Sequence, residues 1–158
     1  MDLILDELAR SIPDIRQAVR VVIRLLAALL VGAIIGYQRE RAGKAAGLRT
    51  HMLVAMGTAM FILAASENGM EQDAISRVVQ GLVTGIGFLG AGAILKLESE
   101  RMIRGLTTAA GIWMTAALGV AIGLGLLGTA AVGVFLAWVV LAILIRLERR
   151  IEGSSNRP

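Results

Sequence analysis

The sequence predicts an all-α protein: a polytopic membrane bundle of about five transmembrane helices preceded by an amphipathic N-terminal segment. Three observations carry that expectation. Of the 158 residues 56% are hydrophobic and the mean hydropathy is +0.75, whereas the apolar share of a soluble domain is about 45–50%. The charges are segregated: Leu25–Gln38 (14 residues), Thr50–Ser66 (17), Val78–Leu95 (18) and Gly105–Ile145 (41) contain no Asp, Glu, Lys or Arg. The last run would be roughly 61 Å long as one helix, about twice the hydrocarbon thickness of a bilayer. Soluble enzymes, disulfide scaffolds and disordered regulators are excluded by this pattern. With no cysteine, thiol chemistry and Cys-ligated metals are excluded as well.

The elements follow in order. Residues 1–24 read as an amphipathic interfacial segment, 25–145 as a five-span domain and 146–158 as a short basic tail. Ser11 and Asp14 have capping-box spacing with Pro13 between them, so a helix is expected to start near Ser11. Arg16, Arg20 and Arg24 recur every four residues and form one basic stripe. The uncharged part of the first span is only about 21 Å long, so the span borrows residues back to about Val19 and takes Arg24 inside. Further spans are expected near Thr50–Ala65, Val78–Leu95, Gly105–Gly123 and Thr129–Ile145. The break in the long run is assigned to the glycine cluster Gly123, Gly125 and Gly128. No cleavable signal is expected, because Met1–Ser11 is acidic and no small-residue cleavage site follows.

Five spans put the termini on opposite sides. The loops after the first and third spans, with the C-terminal tail, hold 11 of the 16 basic residues. The excess predicts a periplasmic N-terminus and a cytoplasmic C-terminus in a bacterial inner (plasma) membrane. The net charge of +4 fits loops beside anionic lipid. No basic patch is interleaved with stacking aromatics, so nucleic acid is not an expected partner.

Helix association in lipid depends on close approach at small residues. Gly32/Gly36, Gly81/Gly85 and Gly119/Gly123 have G-x-x-x-G spacing. They are read as bundle packing or as a seam for self-association or another membrane protein. Gly85–Gly90 satisfies G-x-G-x-x-G, but lies inside a span with no preceding strand and no acidic residue at the ribose distance, so nucleotide binding is rejected. No catalytic constellation is present: His51 is the single histidine, read as interfacial, and no Ser/His/acid set has local support. Neither a cofactor nor a metal site is expected. Glu67, Glu71 and Asp73 read as a solvated loop. Thr58, Gln80, Thr84, Thr107, Thr108 and Thr115 read chiefly as interhelical glue, with a carbonyl-lined path through Gly85–Gly92 the transport alternative. Arg49 and Arg104 are expected near Glu40, as an ion-paired latch, an anionic-lipid site or a plain basic anchor.

Four stretches resemble the MgtC/SapB family of bacterial membrane proteins: G-A-I-I-G-Y-Q-R-E at Gly32–Glu40, G-L-R-T-H-M-L-V-A-M-G at Gly47–Gly57, Q-G-L-V-T-G-I-G-F-L-G-A-G-A-I-L at Gln80–Leu95 and R-G-L-T-T-A-A-G-I-W-M-T-A-A-L-G at Arg104–Gly119. The family's motif residues fall on Arg39, Glu40, Arg49, Thr50, Gln80, Gly85, Gly87, Gly90, Gly92, Arg104, Gly105, Thr107, Thr108 and Trp113. The resemblance implies a five-span inner-membrane protein serving adaptation to low magnesium and, in some members, virulence. It implies modulation of another membrane complex, notably the F-type ATP synthase. Longer members carry a soluble C-terminal domain, whereas this chain ends 13 residues beyond Ile145, so a short form is expected. The sequence therefore points to a non-enzymatic modulator that binds another integral membrane protein and forms homo-oligomers. A small Mg²⁺ or other cation transporter or channel is the alternative.

Overall fold

The computed structural model describes residues 14–67, 69–97 and 102–155, with side-chain surroundings given within 14–94 and 104–142. Five helices follow one another: α1 (Ile15–Arg41), α2 (Leu48–Glu67), α3 (Gln72–Gly92), α4 (Leu106–Gly123) and α5 (Leu127–Ser155). Four are long and apolar enough to cross a membrane, and the described apolar part of the fifth is Leu127–Ala142. The reading of an all-α, multi-pass bundle stands.

Two features add detail to that reading. Helix α1 runs unbroken from Ile15 to Arg41, with Asp14 as its cap accepting from the Arg16 amide at 3.1 Å; Ser11 and the segment before it lie outside the described residues. The connection after α3 is a small antiparallel hairpin, β1 (Leu95–Leu97) with β2 (Met102–Arg104), paired Leu95↔Arg104 and Leu97↔Met102. It returns the chain to α4 through Gly105 at φ +96°, where a Cβ would meet the Ala93 carbonyl oxygen at 2.0 Å. Only glycine fits that turn. The expected break in the long apolar run is a tight turn at Leu124–Leu126, with Gly125 at φ +84°.

Helices α1, α2 and α4 form the centre. Their facing stripes carry small residues, so backbones approach closely. A Cβ on Gly32 would meet the His51 carbonyl oxygen at 2.6 Å, and one on Gly36 the Leu48 Cα at 2.7 Å. On α4, Gly119 faces Thr58 and the Ala55 carbonyl, and Gly123 faces Ile62. Ala28, Val31 and Ile35 of α1, Ala55 and Ala59 of α2, and Leu118 and Ile122 of α4 close the core, with Ala130 and Val134 of α5 against it.

Helix α3 stands apart. Only Ile86 and Gly90 are buried; Ile86 packs with Ile112 and Ala116 of α4. A Cβ on Gly81 or Gly85 would meet nothing within 4 Å, so this G-x-x-x-G pair makes no close approach to the described residues. It lines an open apolar groove with Phe61 of α2. The helix is continuous through Gly92, so no irregular backbone presents carbonyls along Gly85–Gly92.

Candidate functional site

Polar residues meet between α1, α2 and α4, near the end of the bundle that carries the α1–α2 loop. The α1 stripe Ala28, Val31/Gly32, Ile35/Gly36 continues at the same spacing to Arg39, which is 1% exposed. On α2 the stripe Ala55, Thr58/Ala59, Ile62 begins at His51, fully buried. On α4, Thr108 and Thr115 lie on one buried face with Gly111 between them. Three apolar stripes thus turn polar at one level.

The guanidinium of Arg39 donates from Nη2 to the Thr108 hydroxyl at 2.7 Å. His51 Nδ1 lies 2.7 Å from the Thr115 hydroxyl, which donates to the Gly111 carbonyl at 2.9 Å. A hydroxyl has one proton. With it on Gly111, the Thr115 oxygen accepts, and the imidazole proton is on Nδ1. Gly111 lies against both side chains: a Cβ there would stand in ordinary contact, 3.5 Å from His51 Cε1 and 4.0 Å from Arg39 Nε. Arg39 Nε and Nη1, His51 Nε2 and Gln38 Oε1 are buried with no hydrogen-bond partner among the described residues. The arrangement is a desolvated cation with donors to spare, suited to an oxyanion and adverse to a metal cation.

Glu40 has another task. Its Oε2 accepts from the Leu48 amide at 2.7 Å, capping the N-terminus of α2, where a carboxylate also complements the helix dipole. Arg49 and Thr50 are exposed on the first turn of α2, and Arg104 is exposed at the end of β2. Arg41 lies 5.7 Å from the centre of the Tyr37 ring.

The other motif residues distribute over the surface. Gln80, Gly85, Gly87 and Gly92 are exposed on α3, and Gly90 lies 3.6 Å from the Ala109 Cβ as a Cβ would see it. Thr107 is exposed and lines a crevice beside α5. Trp113 is half exposed over a cleft between α3 and α4. Thr58 and Thr84 bond carbonyls of their own helices. The sequence reading placed His51 at an interface; the structure buries it completely. Its signal was available, because His51 stands four residues before Ala55 on a stripe of small residues.

At the opposite end, Arg24 Nη1 donates to the Gly123 carbonyl at 2.8 Å, and its head fills the place that a Cβ of Gly125 would take. The guanidinium thus satisfies the C-terminus of α4. Gln17 bonds Glu67 beside it, which closes the N-terminal turns of α1 onto the end of α2.

Fold and site define a multi-pass α-helical membrane protein organised around a buried cationic cluster. The family model described as MgtC family matches residues 25–150, and the chain belongs to that family. Among its relatives, protein SrpB of Synechococcus elongatus is 46% identical over 137 residues, covering 80% of this chain and 75% of SrpB. The Escherichia coli K12 protein named putative magnesium transporter YhiD is 39% identical over 141 residues, covering 85% of this chain and 65% of YhiD. Protein MgtC of Salmonella typhimurium is 47% identical over 104 residues, which is 66% of this chain but 43% of that protein. The chain thus spans three quarters of one relative and less than half of another. No solved structure matches.

Proposed function

We propose that this chain is a non-enzymatic membrane protein that docks on another integral membrane complex and modulates it, with the F-type ATP synthase the partner implied by the family resemblance. The supporting observation is α3. It carries a glycine pair, Gly81 and Gly85, at which a Cβ would meet nothing within 4 Å among the described residues, an exposed Gln80, and an apolar groove of about 420 Å³ against Phe61. Glycine in a helix interior costs about 1 kcal/mol against alanine, and neither of these makes a close approach to the described residues of its own bundle. A partner helix approaching at close range recovers that cost through backbone packing. A second copy of this chain at the same groove gives a homo-oligomer on the same physics. The end bearing Arg41, Lys44 and Arg49 faces the cytoplasm in this reading, which puts the C-terminus there too.

Gly81→Leu with Gly85→Leu tests the docking. Cross-linking pull-down from native membranes is expected to lose the partner while the purified variant keeps its thermal stability. Retention of the partner at wild-type yield overturns the reading.

The second reading, a Mg²⁺ or other cation transporter, draws on the name of the relative YhiD. Among the described residues the buried charge is the cation Arg39, which opposes a divalent ion close to it. Robust Mg²⁺ flux from the protein reconstituted alone, abolished by Gln80→Ala with Thr84→Ala, would favour transport over modulation.

A further inference from the structure

At the end of the bundle away from Arg39, the helix ends leave an open cavity of about 630 Å³ between them. Helix α1 lines it with Gln17, Arg20 and Arg24, which share one face at spacings of three and four. The end of α2 adds Ser66 and Glu67, and the first turn of α3 adds Gln72 and Ile75. Leu124 closes it from the turn after α4. Apolar sequence gives out at this level: the charge-free runs begin at Leu25, just after Arg24, and stop at Ser66, just before Glu67. The cavity therefore lies where the hydrocarbon of a bilayer meets its head groups.

The polar groups of the cavity divide into a donor wall and an acceptor corner. Arg24 spends Nη1 on the Gly123 carbonyl, which fixes its head in place. Arg20 stands one turn nearer the end of α1 and is exposed. In the corner, Glu67 accepts from Gln17 through Oε2, leaving Oε1 without a partner among the described residues. Beside it the Ser66 hydroxyl donates to the Leu63 carbonyl at 3.1 Å, so towards the cavity it presents only lone pairs. Gln17, which marks the corner, and Arg20, which opens the wall, are about 4.5 Å apart along the helix axis at 1.5 Å per residue. Ile75 and Leu124 supply apolar surface between the polar groups.

We propose that this cavity holds the head group of a zwitterionic phospholipid of the phosphatidylethanolamine type. The phosphate oxygens accept from Arg20 and Arg24, as guanidinium groups and phosphate are matched in geometry and charge. The ammonium, with three protons and no acceptor, donates to Glu67 Oε1 and the Ser66 oxygen. The two-carbon link of ethanolamine bridges the interval between wall and corner, and the glycerol end rests against Ile75 and Leu124. A simple anion leaves Glu67 facing it, and a metal cation meets two guanidinium groups for one carboxylate. Phosphatidylcholine carries no N–H for the corner. The cavity shares no lining residue with the groove at Phe61, so this site stands or falls independently of docking at α3.

The test places the full chain in vesicles of phosphatidylethanolamine, phosphatidylglycerol and phosphatidylcholine, extracts it and reads retained lipid by native mass spectrometry. Phosphatidylethanolamine is expected several-fold above its share of the mixture. Arg20→Gln alters an exposed side chain, spares the Arg24–Gly123 bond and brings retention down to the bulk share. Glu67→Gln keeps an oxygen for Gln17 but removes the charge that selects the ammonium, so phosphatidylethanolamine and phosphatidylcholine are then retained alike. Arg77→Gln, exposed on α3 outside the cavity, leaves the preference unchanged. Retention at the bulk share in the wild type overturns the site, as does wild-type retention in folded Arg20→Gln. An equal loss in Arg77→Gln overturns it too, by assigning the effect to general surface charge. Phosphatidylglycerol retained as strongly, or a preference that survives Glu67→Gln, overturns the zwitterion assignment. Soluble O-phosphoethanolamine raising the thermal stability of the protein in phosphatidylcholine as much as phosphatidylethanolamine does overturns the lipid assignment.

Discussion

Thr115 sits where two kinds of bond meet. Its hydroxyl ties its own helix at Gly111 and the neighbouring helix at His51. Removing it strands Nδ1 of a fully buried imidazole, and an unmet buried polar group costs about 1–3 kcal/mol. Thr115→Val is therefore expected to lower the thermal midpoint in detergent by several degrees. Thr84→Val removes an exposed hydroxyl bonded only within α3, and is expected to change stability by less than about 0.5 kcal/mol. Equal effects would mean that the His51–Thr115 contact carries no stability. The two threonines look alike in sequence, each within an uncharged run. What separates them is the residue opposite, and no local pattern names it. Arg39 is a partial exception, since its spacing from Ile35 and Gly36 continues the buried stripe.

Glycine spacing raises the same question for whole helices. Gly119 and Gly81 each begin a G-x-x-x-G pair, yet a Cβ at Gly119 would stand 1.9 Å from the Thr58 hydroxyl and 2.5 Å from the Ala55 carbonyl, while one at Gly81 would meet nothing within 4 Å. Overpacking costs about 1–3 kcal/mol where neighbours can yield, and backbone does not. Gly119→Leu is expected to unfold or strongly destabilise the bundle, and Gly81→Leu to leave the isolated protein intact. A thermal melt of each separates them. Element existence was legible because lipid imposes long uncharged runs. Span ends moved by a few residues: the charged and polar ends of α2 and α3, from Leu48 and to Glu67 and from Gln72, stay helical beyond the apolar stretch. The hairpin at Leu95–Arg104 was missed because it joins the end of one apolar run to a charged loop and shows no alternation of its own.

At the scale of the molecule, the proposed orientation needs the fifth helix to cross with the four that are long and apolar enough, an odd number that puts the two termini on opposite sides. A reporter fused after Pro158 is expected to be active only in its cytoplasmic form; activity restricted to the periplasm would invert the proposed orientation. The segregation of charge carried this much from the sequence. The buried cluster was not legible there, because it is assembled from three helices whose sequence separations are 69 for Arg39–Thr108 and 64 for His51–Thr115.

Arg24 and Arg39 both reach across to α4, the first to the Gly123 carbonyl and the second to the Thr108 hydroxyl. The interval is 15 residues on each helix, about 22 Å at 1.5 Å per residue. Two rungs of equal spacing fix the antiparallel register of α1 against α4, so neither helix slides by a turn without breaking both. They also bring guanidinium groups closer together along the helix pair than the ~30 Å hydrocarbon core of an ordinary bilayer. The clamp that holds the register thus has a double use: the same two bonds that partner the cations also fix the helix pair.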